Sequence, residues 1–420
     1  MSLDFKICKI GDLGNIFSGG TPSTKIKEYW DGNLNWLSSG ETRNTYIYTT
    51  EKFITKEGAD NSSTKLANKG DIVIASAGQG FTRGQSSMVM IDTYVNQSVI
   101  VIRPNDKVNN FYLLYNLKFR YPELRQLSDH ASTRGSLTTK IIKDLDINLP
   151  DLNTQNKIAN IIQYFDKKIE VNKKINKNLE AIASNIFKYY FIDYEPFKNL
   201  TFIDSTIGDI PKEWKFIKIE DIIDVKDGTH DSPSSIEKGF PLITSKHLNE
   251  YDVNKEEANK ISFEDYTNIN KRSLVEPFDI LISMIGTVGN ICYIMYDEVD
   301  FAIKNVGLFK TSQTPHMREY LLLYLKSNIM TQYIDARLAG STQKYISLTE
   351  LRNIPIVIPP NDILIEFKNT VNPIFDNIKT NHFEINNLVK LRDTLIPKLM
   401  SGEIDVSKIN CDLENSIGGG

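Results

Sequence analysis

The sequence predicts two globular domains of mixed α/β or α+β class, separated by two long helices, with the pattern repeated after about 209 residues. Two observations carry this prediction. The segment "STRGSLTTKIIKDLDINLP" (132–150) ends in a short alternating strand, and "STQKYISLTELRNIPIVIP" (341–359) repeats it 209 residues later. A long helical pattern follows each segment. Self-similarity at a fixed offset indicates repeated structural units.

Short motifs recur in the same order in the two globular halves. A Gly-Thr turn comes first, in "FSGGTPS" (17–23) and "VKDGTHDSP" (225–233). Apolar strands follow, in "GDIVIASAGQG" (70–80) and "FDILISMIGTVG" (278–289), and then "FYLLYNLK" (111–118) and "EYLLLYLK" (319–326). Alternating strands such as "SVIVIRP" and "LDINLP" indicate a mixed sheet. The α/β and α+β classes both remain open at this point.

The helical patterns have an apolar seam. From Ile158 to Tyr190 the seam positions alternate spacings of four and three, and the same spacing recurs from Phe367 to Leu399. Such spacing is typical of helices that pack lengthwise. Asn172 and Asn381 occupy equivalent seam positions, where a buried polar residue fixes the register of two helices. The alternative is that both asparagines lie at the solvent edge.

Capping and helix-breaking residues set the expected boundaries of the two long helices. We expect Asn153 or Thr154 to cap the first helix and Asn361 or Asp362 the second, with Pro196 and Gly402 as their stops. Pro373 predicts a kink in the second helix, or a helix that begins only there. The predicted division of the chain is a first domain (1–151), a first helix (152–195), a second domain (196–360), a second helix (361–403) and a tail (404–420).

Composition and motifs argue against several classes of protein. The net charge is −4, with +3 in residues 1–150 and −5 in residues 196–359, so any basic face must be local. Neither a P-loop, an HExxH zinc motif nor an Asn/Asp-Pro-Pro-aromatic methyltransferase motif occurs. The three cysteines are scattered, which fits a reducing cytoplasm and neither a disulfide framework nor a metal site. No apolar run is long enough for a membrane span. The sequence thus predicts a reader or a scaffold rather than a catalyst.

Several segments carry a family resemblance. They are "SGGTPS…YWDGNLNWLSSGE" (18–41), the paired apolar strands, the strand ends "INLP" and "IVIP" that lead into long helices, and "SGEI" (401–404). With these segments the chain resembles the specificity subunit of type I restriction–modification systems. The resemblance spans nearly the whole chain, and the two-fold arrangement is its most specific feature.

The resemblance implies a function and partners. Residues 1–151 and 196–360 would be target-recognition domains that each read half of a bipartite site in double-stranded DNA. The two spacer helices would pack antiparallel as a coiled coil and separate these domains. Two methyltransferase subunits would dock on the assembly and methylate adenine from S-adenosylmethionine, so this chain itself would hold no cofactor. Whether translocating endonuclease subunits join stays open.

Candidate DNA-contacting residues follow from residue type and loop position. Base edges are read by Arg, Lys, Asn, Gln, Ser and Thr, whereas phosphate contacts position the protein. In the first half we expect contacts from Gln79, Thr82, Arg83, Ser132, Thr133 and Arg134. In the second half we expect them from Lys246, Thr287, Lys304, Asn305, Ser341, Thr342, Gln343 and Lys344. The alternative for each residue is a solvated loop position.

Two other functions compete with DNA reading. One is a non-catalytic protein-interaction scaffold whose coiled-coil helices present two adaptor domains. The other is the recognition part of a fused restriction enzyme, but the methyltransferase motifs that such an enzyme requires are missing from this sequence.

Overall fold

The computed structural model describes residues 5–78, 80–131, 135–340 and 343–406. Contacts divide the chain into two compact units. Unit 1 comprises residues 1–170 and 386–420, and unit 2 comprises residues 171–385. Each long helix therefore contributes one end to each unit. Whether residues 1–151 and 196–360 act as recognition domains is a matter of function and stays a prediction.

Unit 1 contains three sheets. Its strands are β1 (Lys6–Lys9), β2 (Gly14–Ser18), β3 (Trp30–Leu37), β4 (Tyr46–Ile47), β5 (Lys52–Ile54), β6 (Lys65–Ala67), β7 (Ile72–Ala75), β8 (Ser86–Val89), β9 (Thr93–Val95), β10 (Val99–Pro104) and β11 (Asp146–Leu149). Its helices are α1 (Lys56–Asp60), α2 (Asn110–Phe119), α3 (Tyr121–Ala131), α4 (Thr139–Asp144) and the start of α5 (Leu152–Phe191). The sheet orders are β2-β10-β7-β8-β4, β5-β3-β9-β6 and β1-β11.

Unit 2 has a similar arrangement with one additional two-stranded sheet. Its strands are β12 (Phe202–Ile203), β13 (Ile210–Pro211), β14 (Lys215–Lys218), β15 (Val225–Asp227), β16 (Phe240–Ile243), β17 (Lys260–Ile261), β18 (Ile280–Ser283), β19 (Ile291–Tyr293), β20 (Ala302–Ile303), β21 (Val306–Phe309) and β22 (Pro355–Ile358). Its helices are α6 (Phe263–Ser273), α7 (Arg318–Leu325), α8 (Asn328–Asp335), α9 (Leu348–Arg352) and the start of α10 (Asn361–Met400). The sheet orders are β15-β21-β18-β19, β17-β16-β20, β14-β22 and β12-β13.

The strand orders confirm the predicted repeat. The order β2-β10-β7-β8 of unit 1 reappears as β15-β21-β18-β19 in unit 2. One parallel pair also recurs, β3 with β9 and β16 with β20. Most other pairs are antiparallel, which favours the α+β description of the predicted mixed class.

Each unit is built around one strand that is buried on both faces. In β7, Ile72 belongs to the cluster that also receives α5 and α10, and Val73 belongs to a separate cluster. In β18, Ile280 and Leu281 divide between two clusters in the same way. Because successive side chains of a strand point to opposite faces, such a strand needs an unbroken apolar run. The segments "IVIA" and "ILIS" supply it.

The start of α5 differs from the prediction. The carboxylate of Asp151 accepts hydrogen bonds from the Thr154 backbone nitrogen at 3.0 Å and from the Thr154 hydroxyl at 2.9 Å. These bonds lower the pKa of Asp151. The expectation that Asn153 or Thr154 caps this helix is wrong, because both lie inside its first turn and Asp151 precedes it.

The N-cap position of α10 likewise lies one residue before the first predicted cap, Asn361. The Leu364 backbone nitrogen donates to the Pro360 carbonyl at 3.2 Å. Asn361 and Asp362 therefore lie inside the first turn, and the expectation that either residue caps the helix is wrong.

A residue with a left-handed backbone conformation follows the end of each long helix. Gly402 has φ of +76°, and its backbone nitrogen donates to the Leu399 carbonyl, so it ends α10 as predicted. The first helix ends at Phe191, so the expectation that Pro196 ends it is wrong, and Tyr194 between them adopts φ of +50°. Pro196 itself lies in a following 3₁₀ turn.

Pro373 does not interrupt the second helix. The helix is continuous from Asn361 to Met400, so a start at Pro373 is wrong. A proline removes one backbone donor, and the carbonyl that loses it is satisfied by water where the helix faces solvent. Pro373 is exposed, and its own carbonyl accepts from the Asn377 side chain at 2.8 Å. The proline is therefore tolerated on the wet side of the helix.

Asparagines connect the two helices inside unit 2. Asn172 is 2% exposed and donates to Glu384 at 2.8 Å, and the Asn381 amide donates to Asn176 at 2.9 Å. Near the other end of this segment, Tyr190 donates to Glu366. Higher residue numbers in α5 pair with lower residue numbers in α10, so the two helices run antiparallel. Asn172 and Asn381 both make interhelical bonds, and their role in fixing register stays a prediction.

A buried ion pair recurs at the base of the central strand. Asp71 is 3% exposed and accepts from the Arg103 guanidinium at 2.9 and 3.0 Å. Asp279 is fully buried and accepts from Lys310 at 2.6 Å, and Lys310 also pairs with Glu276 at 2.6 Å. The aspartates of the "GDIVIA" and "FDILIS" motifs therefore have a structural role.

We predict that Lys310→Met lowers the free energy of unfolding of the chain by about 3–5 kcal/mol, because it removes the positive charge that pairs with the buried Asp279 carboxylate. Urea unfolding measures this change. The double variant Asp279→Asn/Lys310→Met should recover part of the loss, because the unpaired charge is then gone. The matched control is Lys56→Met, whose side chain is 85% exposed, with an expected change within about 0.5 kcal/mol. Equal effects of the two lysine variants would contradict the prediction.

Candidate nucleic-acid interface

Polar side chains of unit 2 converge on an open cleft of about 480 Å³. Lys246, Thr287, Asn305 and Gln343, all predicted to contact DNA, line this cleft. They come from four separate stretches of the sequence, so the fold brings them together. Ammonium, hydroxyl and amide groups are the groups that proteins direct at phosphates and base edges. The cleft is therefore a candidate nucleic-acid interface.

Two turns fix this cleft. In the 3₁₀ turn Ser245–His247, the His247 ring accepts from the Thr244 backbone nitrogen at 3.0 Å. Burial lowers the pKa of His247, which keeps the ring neutral and able to accept. In the loop between β18 and β19, Gly286 has φ of +82° and its backbone nitrogen donates to the Lys344 carbonyl.

The other two described lysines of the prediction lie beside the cleft. The Lys304 ammonium donates to the Ser232 hydroxyl, and Lys344 is exposed next to Gln343. Neither is among the residues that line the cleft. Lys304 precedes the lining residue Asn305 in the sequence, and Lys344 follows the lining residue Gln343. Both lysines therefore add positive charge near the cleft in a part of the chain whose net charge is negative.

In unit 1 the corresponding loop, residues 76–85, is held by hydrogen bonds within the same unit. The Tyr121 hydroxyl donates to the Phe81 carbonyl at 3.0 Å, and the Arg125 guanidinium donates to the Gly80 carbonyl at 2.9 Å. Arg83 donates to the Gly135 carbonyl at 2.9 Å and pairs with Asp129. The side chain of Arg83 is only 13% exposed. In this arrangement Arg83 positions the loop, and a contact from Arg83 to DNA stays a prediction.

Of the remaining predicted contacts in unit 1, Thr82 is half-buried, and its methyl group lies against Gly78. Six predicted residues lie outside the described part of the chain. They are Gln79, Ser132, Thr133, Arg134, Ser341 and Thr342.

The sequence reasoning missed one residue that the fold places at a position equivalent to Asn305. Asn305 lies at the corner between β20 and β21, and Gln97 lies at the corner between β9 and β10. The two positions are 208 residues apart, the same offset that relates the central strands. Applying this offset to Asn305 would have identified Gln97.

The described ranges lack two further kinds of structure, a metal cluster and a membrane-spanning helix. No group of three or more His, Cys, Asp or Glu side chains there is arranged to hold a metal ion. No helix among those residues is long and apolar enough to cross a membrane.

Comparison with known proteins identifies the family. The family model of the type I restriction modification DNA specificity domain matches residues 2–181 and again residues 211–402. The two matches begin 209 positions apart, which is the offset of the sequence repeat. The chain belongs to the type I restriction–modification specificity family. The resemblance inferred from the motifs is thereby confirmed.

Individual relatives agree in length. The chain is 31% identical to the specificity subunit of the type I restriction enzyme MjaIX of Methanocaldococcus jannaschii, over 97% of this chain and 95% of that protein. It is 23% identical to the HindI specificity subunit of Haemophilus influenzae, over 89% and 94%. The crystal structure of an S subunit from M. genitalium shares the fold, with a TM-score of 0.56, 16% identity and coverage of 95% and 96%.

We predict that Arg83→Met loosens the loop 76–85 of this specificity subunit, because the Gly135 carbonyl and the Asp129 carboxylate lose the two guanidinium nitrogens that donate to them. Amide hydrogen exchange in residues 76–85 should accelerate at least about tenfold if the contacts are worth roughly 1.5–3 kcal/mol together. Exchange in β18 of unit 2 is the internal reference and should not change. Unchanged exchange in the loop would show that Arg83 does not position it.

Proposed function

We propose that this chain is the DNA-reading subunit of a type I restriction–modification complex, in which each unit reads one half of a bipartite site in double-stranded DNA. The supporting observation is the recurrence of one strand order, with the same turn and the same corner, in both units. A protein with two equivalent reading units matches a target with two half-sites. The scaffold alternative would require no such pair of polar corners, and no observation favours it.

Catalysis, on this proposal, belongs to partner subunits. Two methyltransferase subunits bind S-adenosylmethionine and transfer the methyl group to adenine, and this chain supplies sequence recognition without a cofactor. The absence of methyltransferase motifs from the sequence supports this division. The complex acts where the DNA lies, in the cytoplasm. Whether endonuclease subunits join it is an additional question for the purified complex.

The charge distribution supports a need for these partners. Residues 196–359 carry a net charge of −5. Affinity for DNA of any sequence comes mainly from cations that neutralise phosphates. We therefore expect the chain alone to shift a DNA fragment weakly, and the assembly with methyltransferase subunits to bind it tightly.

The proposal predicts modular specificity. The chain is assembled with its methyltransferase subunits, and methylated sites are identified by methylome sequencing. One bipartite motif is expected, and replacing residues 1–151 with the corresponding domain of another family member should change one half-site only. Methyl transfer by the purified chain alone, or a change of both half-sites in an active chimera, would overturn the proposal.

A second prediction concerns the spacer between the half-sites. The helical segments pass from unit 1 to unit 2 between Glu170 and Val171, and return between Ile385 and Asn386. Four residues inserted at both points lengthen each helix by about 6 Å and leave a net rotation of about 40°. One base pair rises about 3.4 Å and turns by about 34°. We therefore expect a spacer that is one to two base pairs longer, with unchanged half-sites.

The placement of the insertion matters. Near the end of α5, Phe187 is 3% exposed in the core of unit 2, so an insertion between Asn185 and Lys188 would disrupt that core. A single insertion at Glu170 is the matched control, since it shifts one helix against the other and should impair assembly. An unchanged spacer in an active double-insertion complex would show that the helices do not set the distance.

A further inference from the structure

We propose that Gln97 and Asn305 form a matched pair of base-reading residues, one in each unit, and that Thr21 and His230 of the two Gly-Thr turns position their amide groups. This inference rests on the proposed function and deepens it, because it names one equivalent contact in each half-site. It also gives a role to the Gly-Thr turns.

In unit 1 the Gly-Thr turn lies directly against the strand that leads to the corner. The Gly20 backbone nitrogen donates to the Val95 carbonyl at 3.1 Å. A Cβ atom on the preceding Gly19 would lie 1.9 Å from that same carbonyl oxygen, so only glycine fits there. This close approach brings Thr21 beside the corner, where its hydroxyl donates to Oε1 of Gln97. Gln97 itself is exposed.

Unit 2 has the same arrangement with different side chains. The Thr229 backbone nitrogen donates to the Ile303 carbonyl at 3.0 Å, and a Cβ atom on the preceding Gly228 would lie 2.3 Å from that same carbonyl oxygen. The turn residue that reaches the corner amide is His230, whose Nδ1 lies 2.7 Å from Oδ1 of Asn305. Asn305 lines the open cleft.

A buried carboxylate holds His230 in this position. Its Nε2 lies 3.0 Å from Asp227, which is 3% exposed and also pairs with Arg272. The backbone of Asn305 is equally constrained, since it adopts φ of +53° and its nitrogen donates to the Thr229 carbonyl at 3.2 Å. A non-glycine residue in the left-handed region is uncommon, and asparagine is one of the few that adopt it readily. The amide is therefore fixed through both its backbone and its side chain.

The chemistry of the corner residue favours a base over a phosphate. A phosphate offers only acceptors, so an ammonium or guanidinium group would serve it better than an amide. An amide carries donor and acceptor side by side, and this pattern matches the N6 and N7 atoms of adenine. Thr21 or His230 contacts only the oxygen of the amide. The amide NH₂ group and the second lone pair of the oxygen therefore remain available to the ligand. The ligand that fits is the adenine of an A·T pair, one in each half-site.

The test uses the complete complex and methylome sequencing. Gln97→Ala should relax one A·T position in the half-site of unit 1, and Asn305→Ala should relax one in the half-site of unit 2. Discrimination at that position should fall roughly 10- to 100-fold, the range of one bidentate base contact. Asn15→Ala and Asn199→Ala remove exposed amides elsewhere in the same units and should leave the motif unchanged.

The positioning role has its own readout. Thr21→Val keeps the shape of the side chain and removes the hydroxyl, so it should relax the same position as Gln97→Ala. Thr21→Ser keeps the hydroxyl and should restore discrimination there. His230→Ala should relax the position that Asn305→Ala relaxes. A loss of stability alone would not select a single base pair.

The outcomes separate this inference from the proposed function. If the wild-type complex shows no sequence-specific methylation, both fail together. If it methylates a bipartite motif and both amide variants keep that motif unchanged, this inference alone is overturned. A loss of affinity that is uniform over all sequences would also overturn it, because that result assigns the amides to phosphates.

Discussion

Unit 1 depends on a core that the end of the chain completes. Ile10 and Leu13 near the start pack in one cluster with Ile396 and Leu399 of α10. The helix α5 contributes Ile158 to this cluster from the middle of the sequence. Contacts of such sequence separation form only after a long loop has closed, and topology of this kind slows folding. The first unit therefore reaches its native core only once α10 is available, and the repeat cannot be reduced to two independent halves.

The need to bury apolar side chains explains which features of the fold could be predicted from the sequence. The seams of α5 and α10 and the runs "IVIA" and "ILIS" were predicted because burial imposes a period on apolar residues. Helix starts were not, because a cap is decided by the residue that precedes the first turn, and Asp151, Asn153 and Thr154 are all suitable types. Pro373 misled for a related reason: the cost of a missing donor depends on exposure, which the sequence does not reveal.

The grouping of residues in the candidate cleft was predicted in part. Residue type and loop position selected Lys246, Thr287, Asn305 and Gln343, and the fold gathers them in one cleft. The same reasoning selected Arg83, whose guanidinium donates to Gly135 and pairs with Asp129 of its own unit, and whose contact with DNA stays a prediction. An arginine in a glycine-rich loop looks alike in both roles, since only tertiary contacts decide which acceptors it meets. Gln97 was overlooked because no motif around it indicated a DNA contact, although the repeat offset of 208 residues relates it to Asn305.

The acidic balance of the second half is consistent with a reader of this kind. Non-specific affinity grows with the number of phosphates neutralised, whereas specificity depends on contacts to base edges. A unit with a net negative surface and a local polar cleft gains little from DNA of arbitrary sequence. If partner subunits supply the phosphate contacts, the corner amides and the lysines around the cleft are free to decide between sequences. On the proposal made above, discrimination would rest on a few fixed side chains, and the close approach at Gly228 and the buried Asp227 carboxylate would hold Asn305 in place for this role.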